Sequence, residues 1–165
     1  MAINLDLAFV LRLHADTKNV AHLGPVKGGA SRMIAPASQG TIKGVGFDLH
    51  ADLLPGAADR VLMDPSTKTG HVDVRAQART LAGHFLSIRY TGIIKADEKS
   101  AKIFGQAPDA ETTEYRDHYY FIRPVFETSD PDLKWVEETV FLGRGHFVVE
   151  DGRTAVEYEI YRVGN

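Results

Sequence analysis

The chain has 165 residues, 44% of them hydrophobic and 25% charged, which is typical of one globular domain. The formal net charge of −3 provides no basic field that would favour nucleic acid as a partner. The absence of cysteine excludes a disulfide framework and a thiol nucleophile, and it fits a cytoplasmic location. No apolar run approaches the roughly 20 residues of a membrane-spanning helix, so we expect no membrane partner.

The first segment alternates between apolar and polar residues, which predicts a β-strand because no helical period accounts for the pattern. Asp6 stands where a secretory signal peptide would carry basic residues, so we expect no signal peptide. The apolar face of this strand holds Ile3, Leu5, Leu7, Phe9, Leu11 and Leu13, and the polar face holds Asn4, Asp6, Arg12 and His14.

Glycine and proline punctuate the region that follows. Residues 15–30 are rich in glycine and are predicted to form a loop. A short strand at residues 31–35 should end at Pro36, because proline cannot donate a backbone hydrogen bond. Further strands are predicted at residues 41–54 and 58–64.

Residues 71–92 predict a β-hairpin, because two alternating runs flank a turn at Ala82-Gly83. A two-residue turn sets Arg75 opposite Tyr90, with Asp73 on the same face. That face holds Asp73, Arg75, Gln77, Arg79, Leu86, Ile88 and Tyr90. Because it mixes polar and apolar residues, we interpret it as the wall of a ligand cavity inside a barrel. The alternative is a solvated outer face, and a one-residue bulge would exchange the two faces.

The polar stretch at residues 95–113 is the longest irregular connection. Connections of this length are often lids or binding loops, and the alternative is a disordered segment. Residues 114–128 predict a strand rich in aromatic side chains, Tyr120 among them. Ser129-Asp130-Pro131 can then start a short helical segment that runs through Val136.

The last hairpin has the clearest turn signal, because Asp151-Gly152 favours a type I′ turn between two alternating runs. This turn pairs Arg144 with Glu159 and His146 with Glu157, and such opposite charges belong on the outer face. The predicted inner face holds Phe141, Gly143, Gly145, Phe147, Val149, Val156, Tyr158 and Ile160, where the glycines leave room for the Tyr158 ring.

These elements predict one all-β domain over residues 1–165. The connections between successive strands are mostly short, which favours antiparallel neighbours. The predicted fold is an antiparallel up-and-down β-barrel of about nine or ten strands with one short helical segment.

Several short motifs match one protein family in their order and spacing. They are Gly40-Thr41 with Gly44, LPGAAD at residues 54–59, Asp73-Val74-Arg75, Phe126-Glu127-Thr128 with Asp130-Pro131 and Trp135, and the closing hairpin through Tyr161-Arg162-Val163. Together these motifs resemble domain of unknown function 3237, from about Arg32 to the end of the chain. The resemblance implies a single-domain β-barrel with a central cavity. Arg60 and the longer 95–113 connection depart from the family pattern and would reshape the cavity mouth.

The sequence lacks a phosphate-binding glycine loop, a metal-spaced histidine motif and a nucleophilic serine elbow. We therefore expect no cofactor and no metal, although a site formed in space by three of the seven histidines stays open. The chemistry that these absences leave open is proton transfer by acidic and basic side chains in an apolar pocket. Asp73 is the predicted base, Arg75 the cation for an enolate-like oxygen, and Tyr158 a third catalytic candidate. The alternative is a structural ion pair beside a core tyrosine.

Substrate contacts are predicted for Asp59, Tyr90, Tyr120, Glu127 and Trp135. Asp59 and Glu127 could complete the charged set from other strands. The alternative for Asp59 is a turn cap, and the alternative for Trp135 is packing over the barrel end.

The leading functional hypothesis is a cofactor-independent lyase, isomerase or cyclase. Its substrate would be a small aromatic or polyketide-like compound with a carbonyl or anionic group. The alternatives are a non-catalytic carrier of a hydrophobic ligand and a structural protein whose barrel interior is filled. A homodimer or higher homo-oligomer is compatible with each of these hypotheses.

Overall fold

Ten antiparallel strands form a single sheet that closes into a ring in the computed structural model, which describes residues 2–165. The strands are β1 (Asn4–Ala15), β2 (Ala21–Pro25), β3 (Ser31–Gly44), β4 (His50–Leu53), β5 (Ala58–Asp64), β6 (Thr69–Thr80), β7 (Phe85–Lys95), β8 (Tyr120–Thr128), β9 (Phe141–Glu150) and β10 (Arg153–Gly164). An α-helix, α1 (Glu98–Phe104), and 3₁₀ segments at Thr17–Asn19, Tyr115–Asp117 and Pro131–Glu138 connect them. The predicted all-β barrel is confirmed.

The ring closes because β1 pairs with β10 on one side and with β3 on the other. Strands β4 and β5 lie one after the other along β6, so together they act as one broken strand between β3 and β6. The closed circuit is therefore β1, β10, β9, β8, β7, β6, β4 and β3, which makes eight strands. An eight-stranded barrel has an interior that side chains fill or that holds one small ligand.

The turn between β6 and β7 is one residue longer than predicted. The Thr80 amide donates to the His84 carbonyl at 2.8 Å, which leaves three residues in the loop. Gly83, the last of them, has a φ of 90°. The two favoured two-residue turns, types I′ and II′, both need a positive φ at the first central position, and Ala82 disfavours that conformation. The three-residue loop with a glycine in the left-handed region is therefore the preferred solution.

The longer loop exchanges the two faces of the hairpin. Val74 lies opposite Tyr90, whereas Arg75 lies opposite Arg89 with its side chain exposed. The predicted orientation of Arg75 into the barrel is wrong, because a one-residue shift turns every side chain of a strand to the other face. The residues of the true inner face are all buried: Val72, Val74, Ala76, Ala78, Leu86, Ile88 and Tyr90.

Strand β3 continues through Pro36, where the sequence predicted an end. The Pro36 carbonyl still accepts a hydrogen bond from the Asp16 amide at 2.8 Å, and Ala37 donates to Ala57 at 2.9 Å. One missing donor therefore does not end the strand. The strand predicted at residues 41–54 is divided between β3 and β4, and the predicted 15–30 loop contains β2.

The first strand buries only the second half of its predicted apolar face. Phe9, Leu11 and Leu13 are buried, whereas Ile3 and Leu5 are 72% and 51% exposed. The pairing of β1 with β3 begins at Phe9, so the earlier residues have β10 alone as a neighbour. The start of β1 consequently lies beside the barrel rather than within its closed wall.

The long connection after β7 contains helix α1 rather than an irregular loop. Asp97 caps the helix by accepting the Ser100 amide at 2.8 Å, and the Ser100 hydroxyl accepts the Asp97 amide at 2.9 Å. This reciprocal pair is a capping box. Ile103 is buried, and Phe104 packs edge-on against Phe147 with ring centroids 5.5 Å apart. Within residues 2–165, no helix has the length and apolar character needed to cross a membrane.

Aromatic side chains fill the end of the barrel farthest from α1. Trp135, from the last 3₁₀ segment, stacks on Phe9 with an interplanar angle of 5° and ring centroids 5.9 Å apart. The other members of this aromatic cluster are Phe47, Phe126 and Phe141. The rings of this cluster pack against one another and fill the interior at this end of the barrel.

The closing hairpin has the predicted register, with Arg144 opposite Glu159 and His146 opposite Glu157. Phe147 is 4% exposed, whereas the Arg144 side chain is 45% exposed. Replacing Phe147 with alanine is expected to lower the free energy of unfolding by roughly 3–5 kcal/mol, as for other buried aromatic residues. Replacing Arg144 with alanine should cost about 1 kcal/mol or less, because exposed ion pairs contribute little. Urea denaturation measures both, and the reverse order would contradict this register.

Candidate active site

The end of the barrel covered by α1 contains a cavity of about 120 Å³. Its walls are mostly apolar, with side chains such as Val74, Ile103 and Phe147. The cavity reaches the surface beside Gln106, which is exposed. An engineered apolar cavity of about 150 Å³ binds benzene, so this space suits a group the size of one aromatic ring.

Asp59 supplies a carboxyl group to the cavity wall. It lies on β5 directly after the turn at Pro55-Gly56, and its Oδ1 accepts the Asp73 backbone amide at 3.1 Å. Burial raises the pKa of Asp59 to about 7; the hydrogen bond from the Asp73 amide lowers it, and the Asp73 charge raises it. Near neutral pH, about half of the molecules therefore carry an ionised Asp59 carboxylate.

Strand register places Asp59 and Tyr90 on the same cavity. Asp59 pairs with Val74, and Val74 in turn pairs with Tyr90, so the three residues form one row across β5, β6 and β7. Neighbouring strands lie about 4.8 Å apart, which puts the Cα atoms of Asp59 and Tyr90 roughly 10 Å apart. Only the small Val74 side chain stands between them in this row.

Three buried tyrosines form a cluster beside Asp59: Tyr90, Tyr120 and Tyr158. The hydroxyl oxygens of Tyr120 and Tyr158 are 2.5 Å apart and share a hydrogen bond. The Tyr90 ring packs edge-on against Tyr158, with centroids 5.2 Å apart, and its hydroxyl has no hydrogen-bond partner within residues 2–165. Burial raises the pKa of all three, and the Asp59 charge raises each further. At neutral pH the cluster therefore consists of protonated hydroxyl donors.

Gly145 on β9 makes room for the tyrosine cluster. A Cβ atom at this position would lie 2.8 Å from the Tyr158 ring and 2.9 Å from the Tyr120 ring. Both rings are buried and cannot move aside easily. The space predicted for Tyr158 beside this glycine is confirmed.

The structure brings together three of the predicted substrate-binding residues, since Asp59, Tyr90 and Tyr120 all line the cavity. Tyr158, a predicted catalytic residue, is hydrogen-bonded to Tyr120 and is fully buried. Asp73 contributes its backbone amide, because its side chain lies on the face of β6 opposite to Val74. The four hydroxyl and carboxyl groups therefore meet at one end of the barrel.

The remaining predicted site residues do not line this cavity, and the inward positions predicted for Arg75 and Glu127 are wrong. Arg75 is exposed on the outer face, and no ion pair joins it to Asp73 in the described part of the chain. Glu127 alternates with the buried residues of β8 and is likewise exposed. Trp135 packs in the aromatic cluster and, with Phe47 and Arg162 among others, lines a second recess at the opposite end of β1.

His14 is among the residues that line the cavity, although alternation placed it on the polar face of the first strand. The pairing of β1 with β3 shifts here, because His14 pairs with Gln39 and Ala15 with Ala37. The extra residue, Ser38, forms a β-bulge that bends the end of the wall. The His14 Nδ1 atom is buried and has no hydrogen-bond partner within residues 2–165. A bulge of this kind leaves no clear sequence signal.

Metal binding has no cluster of ligands to support it in the described residues. Across residues 2–165, no three His, Asp or Glu side chains lie close enough together to hold a metal ion. The polar residues that line the cavity are instead His14, Thr17, Asp59, Tyr90, Gln106, Tyr120 and Thr154. This set can transfer protons and donate hydrogen bonds.

A family model described as protein of unknown function (DUF3237) matches residues 4–163. The chain belongs to this family. The predicted resemblance is thereby confirmed. The resemblance was predicted from about Arg32 onward, whereas the family model begins at residue 4 and so also covers β1 and β2. A search of curated proteins gives no match.

Solved structures share the fold of this DUF3237 protein at low sequence identity. A conserved protein of unknown function from Rhodopseudomonas palustris has 20% identity and a TM-score of 0.81, covering 99% of both chains. A beta-barrel like protein from Acinetobacter baumannii has 24% identity and a TM-score of 0.75, over 99% of this chain and 98% of the other. An enzyme from Penicillium herquei has 14% identity and a TM-score of 0.61, over 99% and 96%. These likenesses bear on the fold alone.

The raised pKa of Asp59 predicts how the stability of this DUF3237 barrel depends on pH. An unfolded aspartate has a pKa of about 3.9, so between about pH 4 and 7 the folded chain binds more protons. The free energy of unfolding contributed by Asp59 therefore falls as pH rises through this window. Between pH 5 and pH 8, the free energy of unfolding of the Asp59→Asn variant should therefore rise by on the order of 2–3 kcal/mol relative to that of the natural protein.

Urea denaturation of both proteins at pH 5 and pH 8 checks this expectation. The exposed Glu127 provides a matched control, because Glu127→Gln removes a carboxylate from the outer face. The change in the free energy of unfolding between pH 5 and pH 8 should be the same for Glu127→Gln as for the natural protein. Parallel pH profiles for Asp59→Asn and the natural protein would show that Asp59 is not desolvated.

Proposed function

We propose that this protein is a cofactor-independent acid/base enzyme that acts on a small, one-ring compound with a carbonyl group. One observation carries the proposal: the Asp59 carboxyl, with its pKa raised to about 7, lies on the wall of a mostly apolar cavity. A general base is most effective when its pKa is close to the working pH. Lyases, isomerases and cyclases of this kind share a first step in which a base removes a proton.

In that step the Asp59 carboxylate removes a proton from the carbon next to the substrate carbonyl. The electron pair of the C–H bond forms the new C=C bond, and the carbonyl π electrons move to oxygen, which gives an enolate. The protonated Asp59 then returns the proton at the same or another position, so that the enzyme ends unchanged. Return at another carbon is an isomerisation, and capture of the intermediate within the substrate is a cyclisation.

Tyrosine hydroxyls take the role that the sequence suggested for Arg75. Tyr90 has a hydroxyl without a partner, and Tyr120 reaches the same cavity with Tyr158 bonded behind it. Hydroxyl donors fixed in an apolar site stabilise a developing oxyanion more than water does, because they need no reorganisation. The raised pKa of these tyrosines keeps their protons in place for this purpose.

The comparison with solved structures supports only the general part of this proposal, namely that the protein is an enzyme. The Penicillium herquei protein, which is called an enzyme, covers 99% of this chain with a TM-score of 0.61. Its identity of 14% leaves the reaction and the substrate to be argued from the cavity of this chain. The carboxyl and hydroxyl groups around Asp59 are therefore the basis of the proposal.

A second candidate function is a non-catalytic binding protein for a small hydrophobic ligand. The observation that favours it is the large apolar share of the cavity wall, with side chains such as Leu13, Val61 and Phe147. Binding by such a wall requires neither ionisation of Asp59 nor a donor at Tyr90. The two candidates therefore differ in how variants of these two residues behave.

Exchange of the methyl protons of acetophenone for deuterium, followed by proton NMR in deuterated buffer, tests the proposed proton transfer. The natural protein is expected to accelerate the exchange, and the rate should rise as pH increases through about 7, because Asp59 ionises there. Asp59→Asn should lower the rate by about 10²-fold or more, the usual share of general-base catalysis. Tyr90→Phe should lower it by about 10²-fold, as when an oxyanion donor is lost.

The control variant is Glu127→Gln, whose carboxylate is exposed on the outer face and should leave the exchange rate unchanged. An equal rate for the natural protein and Asp59→Asn would contradict acid/base catalysis by this site. A different outcome would support the binding-protein function instead. In that outcome the natural protein does not accelerate the exchange, and Asp59→Asn still binds acetophenone.

A further inference from the structure

The start of β1 is a free strand edge. Residues 4–7 pair with β10 on one side, whereas the pairing of β1 with β3 on the other side begins only at Phe9. Within residues 2–165, no backbone hydrogen bond joins residues 4–7 to any element other than β10. Every second residue of such an edge directs its amide and carbonyl away from the sheet, where they can pair with another strand.

A β-bulge turns the apolar side chains of this edge outward. The register between β1 and β10 shifts between Leu7 and Phe9. Phe9 lies opposite the buried Ile160, whereas Leu7 lies opposite the next residue of β10 and faces outward. By alternation, Leu5 and Ile3 share the outer face with Leu7, and both are exposed. The free edge therefore combines unpaired backbone groups with apolar side chains.

The other free edge of the sheet, β2, is protected against pairing. In the part of the chain that the structure describes, β2 pairs with β3 alone. Pro25 gives this edge no amide donor, and a bulge interrupts its register with β3. Proline and bulges on edge strands hinder pairing with another chain. The β2 edge is therefore a poor template for a further strand.

The β1 edge has none of these protections. Residues 4–7 contain no proline or lysine, and their pairing with β10 is regular. Their only charged side chain is Asp6, whose carboxylate is paired with Arg162 at 3.2 Å. Because its free groups are backbone amides and carbonyls, the occupant that fits this edge is an extended strand.

The sequence of the β1 edge is complementary to itself. Leu5 is at its centre, the polar residues Asn4 and Asp6 flank it, and the apolar residues Ile3 and Leu7 follow on either side. An antiparallel pairing of two copies about a two-fold axis at Leu5 sets Asn4 opposite the partner's Asp6. The Asn4 side-chain amide can then donate to that carboxylate, and no like charges face each other. A two-fold axis at Asp6 would instead oppose two carboxylates, which is destabilising.

We infer that two copies of this chain join through the free edge of β1, in an antiparallel pairing centred on Leu5. Each copy presents the same edge to the other, as a two-fold symmetric interface requires. Backbone hydrogen bonds join the two sheets, and the outward side chains of Ile3 and Leu7 contact each other across the pair. The proposed active-site cavity is lined by residues at the other end of β1, so the dimer is independent of the proposed function.

Sedimentation velocity over a dilution series measures the dimer directly. The natural protein should sediment as a dimer that dissociates on dilution. Asn4→Lys should lower the dimer dissociation constant by about tenfold, because each of two symmetric contacts then joins a lysine to an aspartate. Asn4→Asp should raise the constant by about tenfold, because carboxylates then face each other. Leu5→Lys should raise it at least about tenfold, since two ammonium groups meet at the axis.

The matched control is Leu23→Lys, because Leu23 lies on the protected β2 edge and is 53% exposed, against 51% for Leu5. This variant should leave the dissociation constant unchanged. A thermal denaturation curve for each variant confirms that its barrel is folded. A natural protein that is monomeric at every concentration overturns the inference, and so does an assembly larger than a dimer. Equal effects of Asn4→Lys and Asn4→Asp, or a dimer weakened by Leu23→Lys, overturn it as well.

Discussion

A single backbone hydrogen bond holds a carboxyl group at the edge of an apolar barrel interior. The Asp73 amide donates to Asp59 at 3.1 Å, and this contact does not offset the burial that raises the Asp59 pKa to about 7. The barrel tolerates this arrangement because the carboxyl can take up a proton instead of remaining a desolvated charge. The proposed chemistry depends on the same balance, since an aspartate with an ordinary pKa is a weak base.

The register between neighbouring strands decides which groups surround Asp59. One extra residue in the β6–β7 loop sets Val74 opposite Tyr90 and sends Arg75 outward. Alternation in the sequence predicted both strands, but the loop length predicted from the turn signal at Ala82-Gly83 was one residue too short, and a shift of one residue exchanges the two faces. The arms themselves contained the missing information, because only the three-residue loop places the apolar residues of both strands on one side.

Other parts of the fold were predictable to different degrees, for physical reasons. Asp151-Gly152 fixes the register of the closing hairpin by turn chemistry alone, so the buried Tyr158 was predicted correctly. Helix α1 carries a capping-box signal in Asp97 and Ser100, although its short apolar stretch was interpreted as part of a loop. His14 lies where the register between β1 and β3 shifts, and such a bulge depends on contacts that sequence alternation does not encode.

Carbon-13 NMR titration of the Asp59 carboxyl is the most direct measurement of the central claim, with the signal assigned by its loss in Asp59→Asn. The account predicts a midpoint near pH 7, because burial outweighs the hydrogen bond from the Asp73 amide. A midpoint close to the unperturbed value of about 3.9 would contradict it. In that case Asp59 would be an ordinary solvated carboxylate, and the cavity would lack its base.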